Sequence, residues 1–533
     1  MTDWWREAVF YQIYPRSFAD SNGDGVGDLG GIAARLEHVA ELGADAVWLS
    51  PFFASPMADF GYDVSDYRAV DPVFGTMDDF RTVLDRAHGL GLKLIIDQVY
   101  SHTSDQHAWF SQSRRDRTNP RADWYVWADA GPDGGPPNNW LSVFGGPAWT
   151  WDARRHQYYL HNFLESQPDL NFHCEAVQEA ILDTARFWLE MGVDGFRLDV
   201  ANFYFHDAQL RDNPPRTPRD AGRPHTYQHH VHDRSRPETL DFMARLRAVT
   251  DGYGGKMMVA EVDSADPTGR SIEYTDGPTR LHTAYSFGFL HTGELTPELV
   301  RTLLEGWRGR RAWPSWSFSN HDVARVASRF GGEDRPGRAR MLLSLVLSLR
   351  GTPFLYQGEE LGLPQADVPF EKLRDPEAIR FYPEGLGRDG CRTPMPWSHQ
   401  APHGGFSGAE PWLPMDPRHE ALAVDRQAAD PGSTLAAAKA LLAFRREHAA
   451  LRTGTMEFWD AGPEVCAFTR EGGAPEGGGA RIACLFNLGA DDAAVTDARL
   501  AGGRDVTPTP MGGALDGDTA RLGPDGALFV SLA

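Results

Sequence analysis

Eight short apolar segments recur between residues 8 and 362, each running into polar residues, and helical patterns fall between them. The first, AVFYQIYPRSF (8–18), leads to GGIAARLEHVAELG; the second, AVWLSPFF (46–53), leads to TMDDFRTVLDRAHGLG; the third is KLIIDQVYSH (93–102). After a long interruption come GVDGFRLDVAN (192–202), KMMVAEVDS (256–264), LHTAYSFGF (281–289), AWPSWSFSNHD (312–322) and GTPFLYQGEELG (351–362). Strands alternating with helices of 10 to 15 residues build βαβ units and a parallel sheet. Eight of them favour an α/β fold of the TIM (β/α)8 type. A doubly wound open sheet is the weaker reading, because no G-x-G-x-x-G follows the first strand.

The interruption, 103–172, is rich in Trp, Asn, Pro and Gly and is too long for an ordinary βα loop, so it is expected to form an inserted subdomain. From 455 the pattern is strand-like throughout (EVCAFTR, ARIACLFNLG, GALFVSLA), which predicts a C-terminal antiparallel β-sandwich with EGGAPEGGG as a hairpin loop inside it. The expected organisation is therefore barrel over 1–102, insertion over 103–172, barrel again over 173–454, and sandwich over 455–533.

Composition limits the partners. A formal charge of -22 opposes binding to nucleic acid phosphates or anionic lipid and leaves a neutral small molecule as the better fit. No stretch nears the roughly 18 unbroken apolar residues of a membrane span, and MTDWWREAVF has no signal-like pattern, so a cytoplasmic protein is expected, monomeric or a small homo-oligomer. Cys174, Cys391, Cys466 and Cys484 form no C-x-x-C pair and read as buried thiols; Cys466 and Cys484 are the only two that a hairpin would bring across from each other.

In a barrel of this kind, reactive groups belong at the C-terminal ends of the strands. Those ends are polar here: Asp97 and His102 after the third, Arg197 and Asp199 in the fourth, Glu261 in the fifth, and Asn320, His321 and Asp322 after the seventh. The period-two alternation in GFRLDVAN puts Arg197 and Asp199 on one face, where the guanidinium favours an ionised Asp199. If Glu261 projects near Asp199 and Asp322, burial and neighbouring negative charge make it the carboxyl that keeps its proton. One ionised and one protonated carboxyl, about 5 to 5.5 Å apart, is the requirement for retaining glycoside cleavage.

The segments DQVYSH, QPDLN (167–171), GFRLDVAN, EVDS and FSNHD, in this order, resemble those of the α-amylase clan of glycoside hydrolases. The opening WWREAVFYQIYPRSFADSNGDGVGDLGGI and the late GRDGCRTPMPW resemble its oligo-1,6-glucosidase and bacterial α-glucosidase branch. The resemblance implies Asp199 as nucleophile, Glu261 as general acid/base and Asp322 as stabiliser of the transition state. It implies that His102, Arg197 and His321 hold the sugar and the nucleophile, and that Asp59, Tyr62, Phe163 and Arg388 close the far end of the pocket, giving an exo-acting enzyme for short α-glucosides. Trp48 and Phe163 are expected to stack on sugar.

DSNGDGVGD (20–28) opens like an EF-hand loop, but Gly31 stands where the bidentate glutamate belongs. The resemblance implies one structural Ca²⁺ or Mg²⁺ on Asp20, Asn22, Asp24, the Val26 carbonyl and Asp28; a metal-free Asx and glycine turn is the competing reading. Ser101 stands where many amylases carry an asparagine that binds a second calcium. PHTYQHHVHD, with His225, His229, His230 and His232, is expected to be a solvated loop overhanging the pocket mouth rather than a metal site.

Linkage preference is not uniform in these signals. Val200 after the nucleophile accompanies α-1,6 cleavage in this branch, whereas NFYFHDAQLRDNPP resembles α-1,4-specific enzymes. A transglucosylase, sucrose isomerase or trehalose synthase would use the same covalent intermediate, and a non-catalytic scaffold relative would have lost the acids that are present here.

Overall fold

A computed structural model of the chain describes residues 3–217, 223–331, 335–385, 387–472 and 480–533. Eight strands form a closed, all-parallel barrel, each paired with its neighbours in chain order. They are β1 Phe10–Ile13, β2 Ala46–Leu49, β3 Lys93–Gln98 and β4 Gly195–Leu198. The remainder are β5 Met257–Glu261, β6 Thr283–Tyr285, β7 Pro314–Ser317 and β8 Thr352–Tyr356. Each falls inside one of the eight apolar segments. They are short and nearly continuous in apolar character because both faces are covered, by helices outside and packed side chains within.

The helices that cover the barrel carry the expected stripe. In α1, Leu29–Leu42, the buried residues Ile32, Leu36 and Val39 recur at helical spacing, and Gly43 ends the helix at φ 101°, which a side chain would resist. Inside the barrel, Phe10, Trp48, Ile95, Met257, Val259, Tyr285 and Phe354 form one apolar plug. Arg197 interrupts it: β4 pairs Arg197 with Asp97 of β3 on one side and with Val259 of β5 on the other, so its charge sits on the plug's upper surface.

Between β3 and β4, three short strands (Trp127–Ala128, Trp149–Asp152 and Gln157–Leu160) make an antiparallel sheet with its own aromatic core around Trp140 and Trp149. The chain ends in two antiparallel sheets, of five and three strands, which share a core that includes Trp459, Leu485, Val495, Leu522 and Val530. Within it Val465–Gly472 pairs with Ala480–Asn487; the hairpin loop expected at 471–479 lies, from 473 onward, outside the described residues. All four cysteines are free thiols. Cys466 faces Phe486 and Cys484 faces Phe468, so the two are offset along the ladder rather than opposite one another.

Candidate active site

A cavity of about 800 Å³ opens at the C-terminal ends of the barrel strands. Its lining includes Asp59, Tyr62, His102, Phe163, Asp199, Glu261, Asp322 and Arg388. Arg197 and His321 lie directly beneath it, fully buried.

The floor is organised by one guanidinium. Arg197 Nη1 donates to Asp97 Oδ1 at 2.9 Å and to Asp199 Oδ1 at 2.5 Å, and Nη2 donates to Glu261 Oε2. Three carboxyls from three adjacent stretches of the barrel wall therefore share one cation, which brings Asp199 and Glu261 together on its two Nη atoms. Burial pushes Glu261 up to about 8; Arg197 opposes this, and the charges of Asp199 and Asp322 add to it. Burial likewise lifts Asp199, to about 7, against the pull of Arg197. The guanidinium thus acts in the direction read from the sequence but does not by itself offset the loss of water around Asp199. Both carboxyls are lifted by burial, and negative charge on one opposes ionisation of the other, so the pair holds fewer than two negative charges near neutrality.

Asp322 is different. Burial alone would raise it, but His321, Arg392 and Arg388 outweigh burial and hold its carboxyl well below the usual range. Arg392 Nη2 donates to Asp322 Oδ1 at 2.8 Å while Arg392 Nε ties down the His321 carbonyl at 2.7 Å. Gln12 Nε2 donates to His321 Nδ1 at 2.8 Å, which leaves the ring proton on Nε2, facing Tyr62 Oη at 2.5 Å and Asp322 Oδ2 at 3.1 Å. The Tyr62 ring stacks on His321, with centroids 5.3 Å apart. Neutral His321 is favoured because burial pushes it well below its ordinary range.

A second charge cluster lines the cavity. Arg388 Nη2 donates to Asp59 Oδ1 and to Asp375 Oδ1, both at 2.7 Å, which pins the late GRDG segment against the loop after β2. Gln167 bridges Asp59 (3.2 Å) and His102 (3.2 Å). Phe163 stands against His102, with centroids 5.2 Å apart. Ser101 Oγ hydrogen-bonds His102 Nδ1 at 2.8 Å.

Backbone strain marks the junction of floor and wall. Val200, directly after Asp199, sits at φ 34°, ψ 49°, a left-handed conformation that a β-branched residue strongly disfavours. The turn aims the Val200 N–H at Glu261 Oε2, 3.1 Å away.

Two expectations need correction. Trp48 does not reach sugar: it is fully buried beneath Arg197, whose guanidinium carbon lies 4.9 Å from its ring centre, and its Nε1 donates to Asp97. The histidine stretch does overhang the cavity, with His225, His229 and His230 in its lining, but only His229 is solvated. His225 and His230 are half-buried and stacked on one another, with ring centroids 3.7 Å apart, and His230 is held by Asp233 and the His225 carbonyl.

Reasoning from sequence also passed over partners that complete the site. Asp97 was visible as a polar strand end but without a role, Gln167 lay inside QPDLN and Arg392 inside the GRDGCRTPMPW segment without roles of their own, and Asp375 carried no local signal at all. In the DSNGDGVGD loop, Asp20 accepts from the N–H groups of Asn22, Gly23 and Gly25, Asn22 Oδ1 from Asp24, and Asp24 Oδ1 from Val26. Asp28 is committed elsewhere: it caps α1 by accepting from Gly31 N (2.6 Å) and also holds Ser21.

Comparison with known proteins follows this geometry. The model of the α-amylase catalytic domain matches residues 12–454. The chain belongs to the α-amylase family. As a member of that family of glycoside hydrolases, it is 53% identical over 507 residues to a "Probable alpha-glucosidase" of Rhizobium meliloti (strain 1021), covering 93% of this chain and 91% of the relative. It is 38% identical over 505 residues to the oligo-1,6-glucosidase of Parageobacillus thermoglucosidasius, covering 88% of each. Among solved structures, an α-glucosyl transfer enzyme, XgtA, superposes with a TM-score of 0.96 at 51% identity over 100% of both chains. The trehalulose synthase of Pseudomonas mesoacidophila MX-45 does so at 0.89, with 31% identity over 99% of both chains. This α-amylase-family chain has no helix, among the described residues, long and apolar enough to cross a membrane.

Proposed function

We propose that the protein is an exo-acting retaining α-glucosidase that releases glucose from the non-reducing end of short α-glucosides. The observation that carries this reading is the pairing of Asp199 and Glu261 on one guanidinium, in a cavity that the Arg388–Asp59 ion pair also lines. Such close spacing belongs to retaining rather than inverting chemistry, where a water must fit between the two carboxyls.

In this reading the Asp199 carboxylate attacks the anomeric carbon as the bond to the leaving oxygen breaks, and Glu261 gives its proton to that oxygen. The product is a glucosyl ester on Asp199 and an ionised Glu261. Water then yields a proton to Glu261, attacks the same carbon and displaces Asp199. Asp322, kept anionic by Arg392 and His321, holds sugar hydroxyls and offsets the positive charge that develops on the ring. Replacing Asp199 by Asn should lower kcat on maltose and isomaltose by roughly four orders of magnitude with the fold intact; undiminished glucose release would refute the mechanism.

A second reading has a specific support: the α-glucosyl transfer enzyme matched over its whole length. There another sugar or alcohol, rather than water, intercepts the ester. Initial rates and products on maltose, isomaltose, sucrose and trehalose, measured side by side at high substrate, separate the two. Transfer products exceeding free glucose would assign the protein as a transglucosylase, and the same rates would decide linkage preference.

A structural Ca²⁺ or Mg²⁺ in the 20–28 loop is part of this proposal. The donor set of Asp20, Asn22, Asp24 and the Val26 carbonyl is all oxygen, which suits either ion, whereas Asp28 already serves as a helix cap. The bound ion would tie the loop after β1 to the 407 region, which Asp20 already reaches through Ser407. Four free thiols support a cytoplasmic location.

A further inference from the structure

The loop that forms the outer wall of the cavity carries a group of side chains that the glucosidase reading does not use. One ligand atom from each of His225, His230 and Asp233 lies within 4.8 Å of the other two, the only such group of three found among the described residues. His230 supplies the decisive detail. Its Nε2 faces the carbonyl oxygen of His225 at 2.7 Å, and a carbonyl only accepts, so the ring proton is on Nε2. Its Nδ1 faces Asp233 Oδ2 at 2.5 Å. An imidazole lone pair and a carboxylate oxygen at that distance repel unless a positive charge joins them; a metal ion held by both at about 2.0–2.2 Å would set them farther apart than this. A ring that donates one N–H to a backbone carbonyl and turns its other nitrogen beside a carboxylate has the orientation of a metal-ligating histidine with its supporting hydrogen bond in place.

One buried atom of the group lacks any partner. His225 Nε2 is inaccessible and unbonded, which is costly for a polar atom. A cation taken by the group would satisfy it. The His225 ring now lies parallel to His230, so it must rotate about its Cβ–Cγ bond to face the same ion; since Nε2 is unbonded, that rotation breaks no hydrogen bond there. Arg234, the nearest cation on the loop, is engaged by Asp263 at 2.6 Å.

We propose that His225, His230 and Asp233 form a binding site for a divalent transition metal of the zinc type, with two imidazole nitrogens and one carboxylate oxygen as ligands and a fourth position open to the cavity. Zn²⁺ takes this mixed set at about 2.0–2.2 Å, whereas Ca²⁺ and Mg²⁺, which prefer all-oxygen sites, do not. Because the same loop lines the cavity that holds Asp199 and Glu261, the ion pins part of the wall beside the reacting groups, and zinc lowers turnover reversibly. The inhibition rests on the glucosidase reading; the binding does not.

The test uses the full chain, first stripped with a chelator. Calorimetric titration with Zn²⁺ should give one zinc per chain, and Co²⁺ should produce the visible absorption of a four-coordinate ion with nitrogen ligands. His225→Ala and Asp233→Asn, each checked by its melting curve, should each weaken zinc binding by about 10- to 100-fold and erase the cobalt absorption. Asp24→Ala, in the oxygen loop, should leave both signals unchanged. Inhibition by zinc should disappear in the same two variants and be reversed by chelator in the unaltered protein. No zinc uptake by the unaltered chain, or equal uptake by His225→Ala and Asp233→Asn, would overturn the site and identify the His230–Asp233 contact as a protonated ion pair. Uptake without inhibition would overturn the gating role alone.

Discussion

Glu261 offers a test in which stability and activity report on the same proton. Its carboxyl is lifted from an ordinary value of about 4.5 to about 8, chiefly by burial. At about 1.4 kcal/mol for each pH unit of displacement, that amounts to a ceiling of roughly 5 kcal/mol. The sign is definite. A carboxyl whose folded value exceeds its unfolded one binds more protons when folded, so its contribution is fully present below about pH 4.5 and is lost as pH rises through about 8. Glu261→Gln replaces the group by a neutral amide of the same shape, which cannot ionise. Melting curves at pH 5 and pH 9 should therefore show the variant close to the unaltered protein at the lower pH and more stable at the higher, by several degrees. The double difference removes the titrating groups that do not interact with Glu261; Asp199, which does, shifts with the substitution and contributes to what remains. In parallel, kcat/KM of the unaltered enzyme should fall above about pH 8 as the proton donor is lost. Glu261→Gln should lose far more activity toward alkyl glucosides than toward glucosides with an acidic phenol as leaving group. If the stability difference between the two proteins is the same at both pH values, or reverses sign, the assignment of a buried, proton-retaining Glu261 is wrong.

Three further outcomes are expected. Arg388→Lys keeps the charge but loses the fork that spans Asp59 and Asp375; kcat/KM on disaccharides should fall by about 100-fold, mostly through KM, because the loss is of sugar positioning. Arg392→Met removes a cation from Asp322, so the Asp322 carboxyl should rise toward the ordinary range. Its ionised form, now present well into acid, would then be lost at a higher pH, as an NMR titration that resolves the Asp322 carboxyl would register, while the acid limb of kcat/KM, set by the higher-titrating Asp199, should stay in place. Removal of divalent ions with a chelator should lower the melting temperature of the unaltered protein, with recovery on adding Ca²⁺ or Mg²⁺; Asp24→Ala should melt at the lower temperature with or without chelator.

Much of the architecture was legible without coordinates because it is written in period. Each of the eight barrel strands falls within an apolar segment that local pattern alone picks out, since strands buried on both faces must be apolar over several consecutive residues. The residues at their C-terminal ends were legible for a related reason: Asp97, Asp199, Glu261 and Asp322 are polar exactly where a continuous apolar strand stops, a break visible in one dimension. The histidine loop shows the reverse. Its composition was plain, but whether four histidines face water or one another depends on which way the loop folds over the cavity, and nothing local decides that.

The sequence by itself determined the order of the strands, the identity of the acids at their ends and, through ordered motifs, the family. Tertiary structure decided how charge is divided among them. Asp97, Asp199 and Glu261 come from three different strands and meet on one guanidinium only because barrel closure brings β3, β4 and β5 side by side. The proton between Asp199 and Glu261 is then apportioned by burial and by distance to Arg197, quantities that exist only once water has been excluded. Gln167 and Arg392 entered the site for the same reason: each acts across more than 60 positions of chain, through contacts that the fold creates and the linear order does not contain.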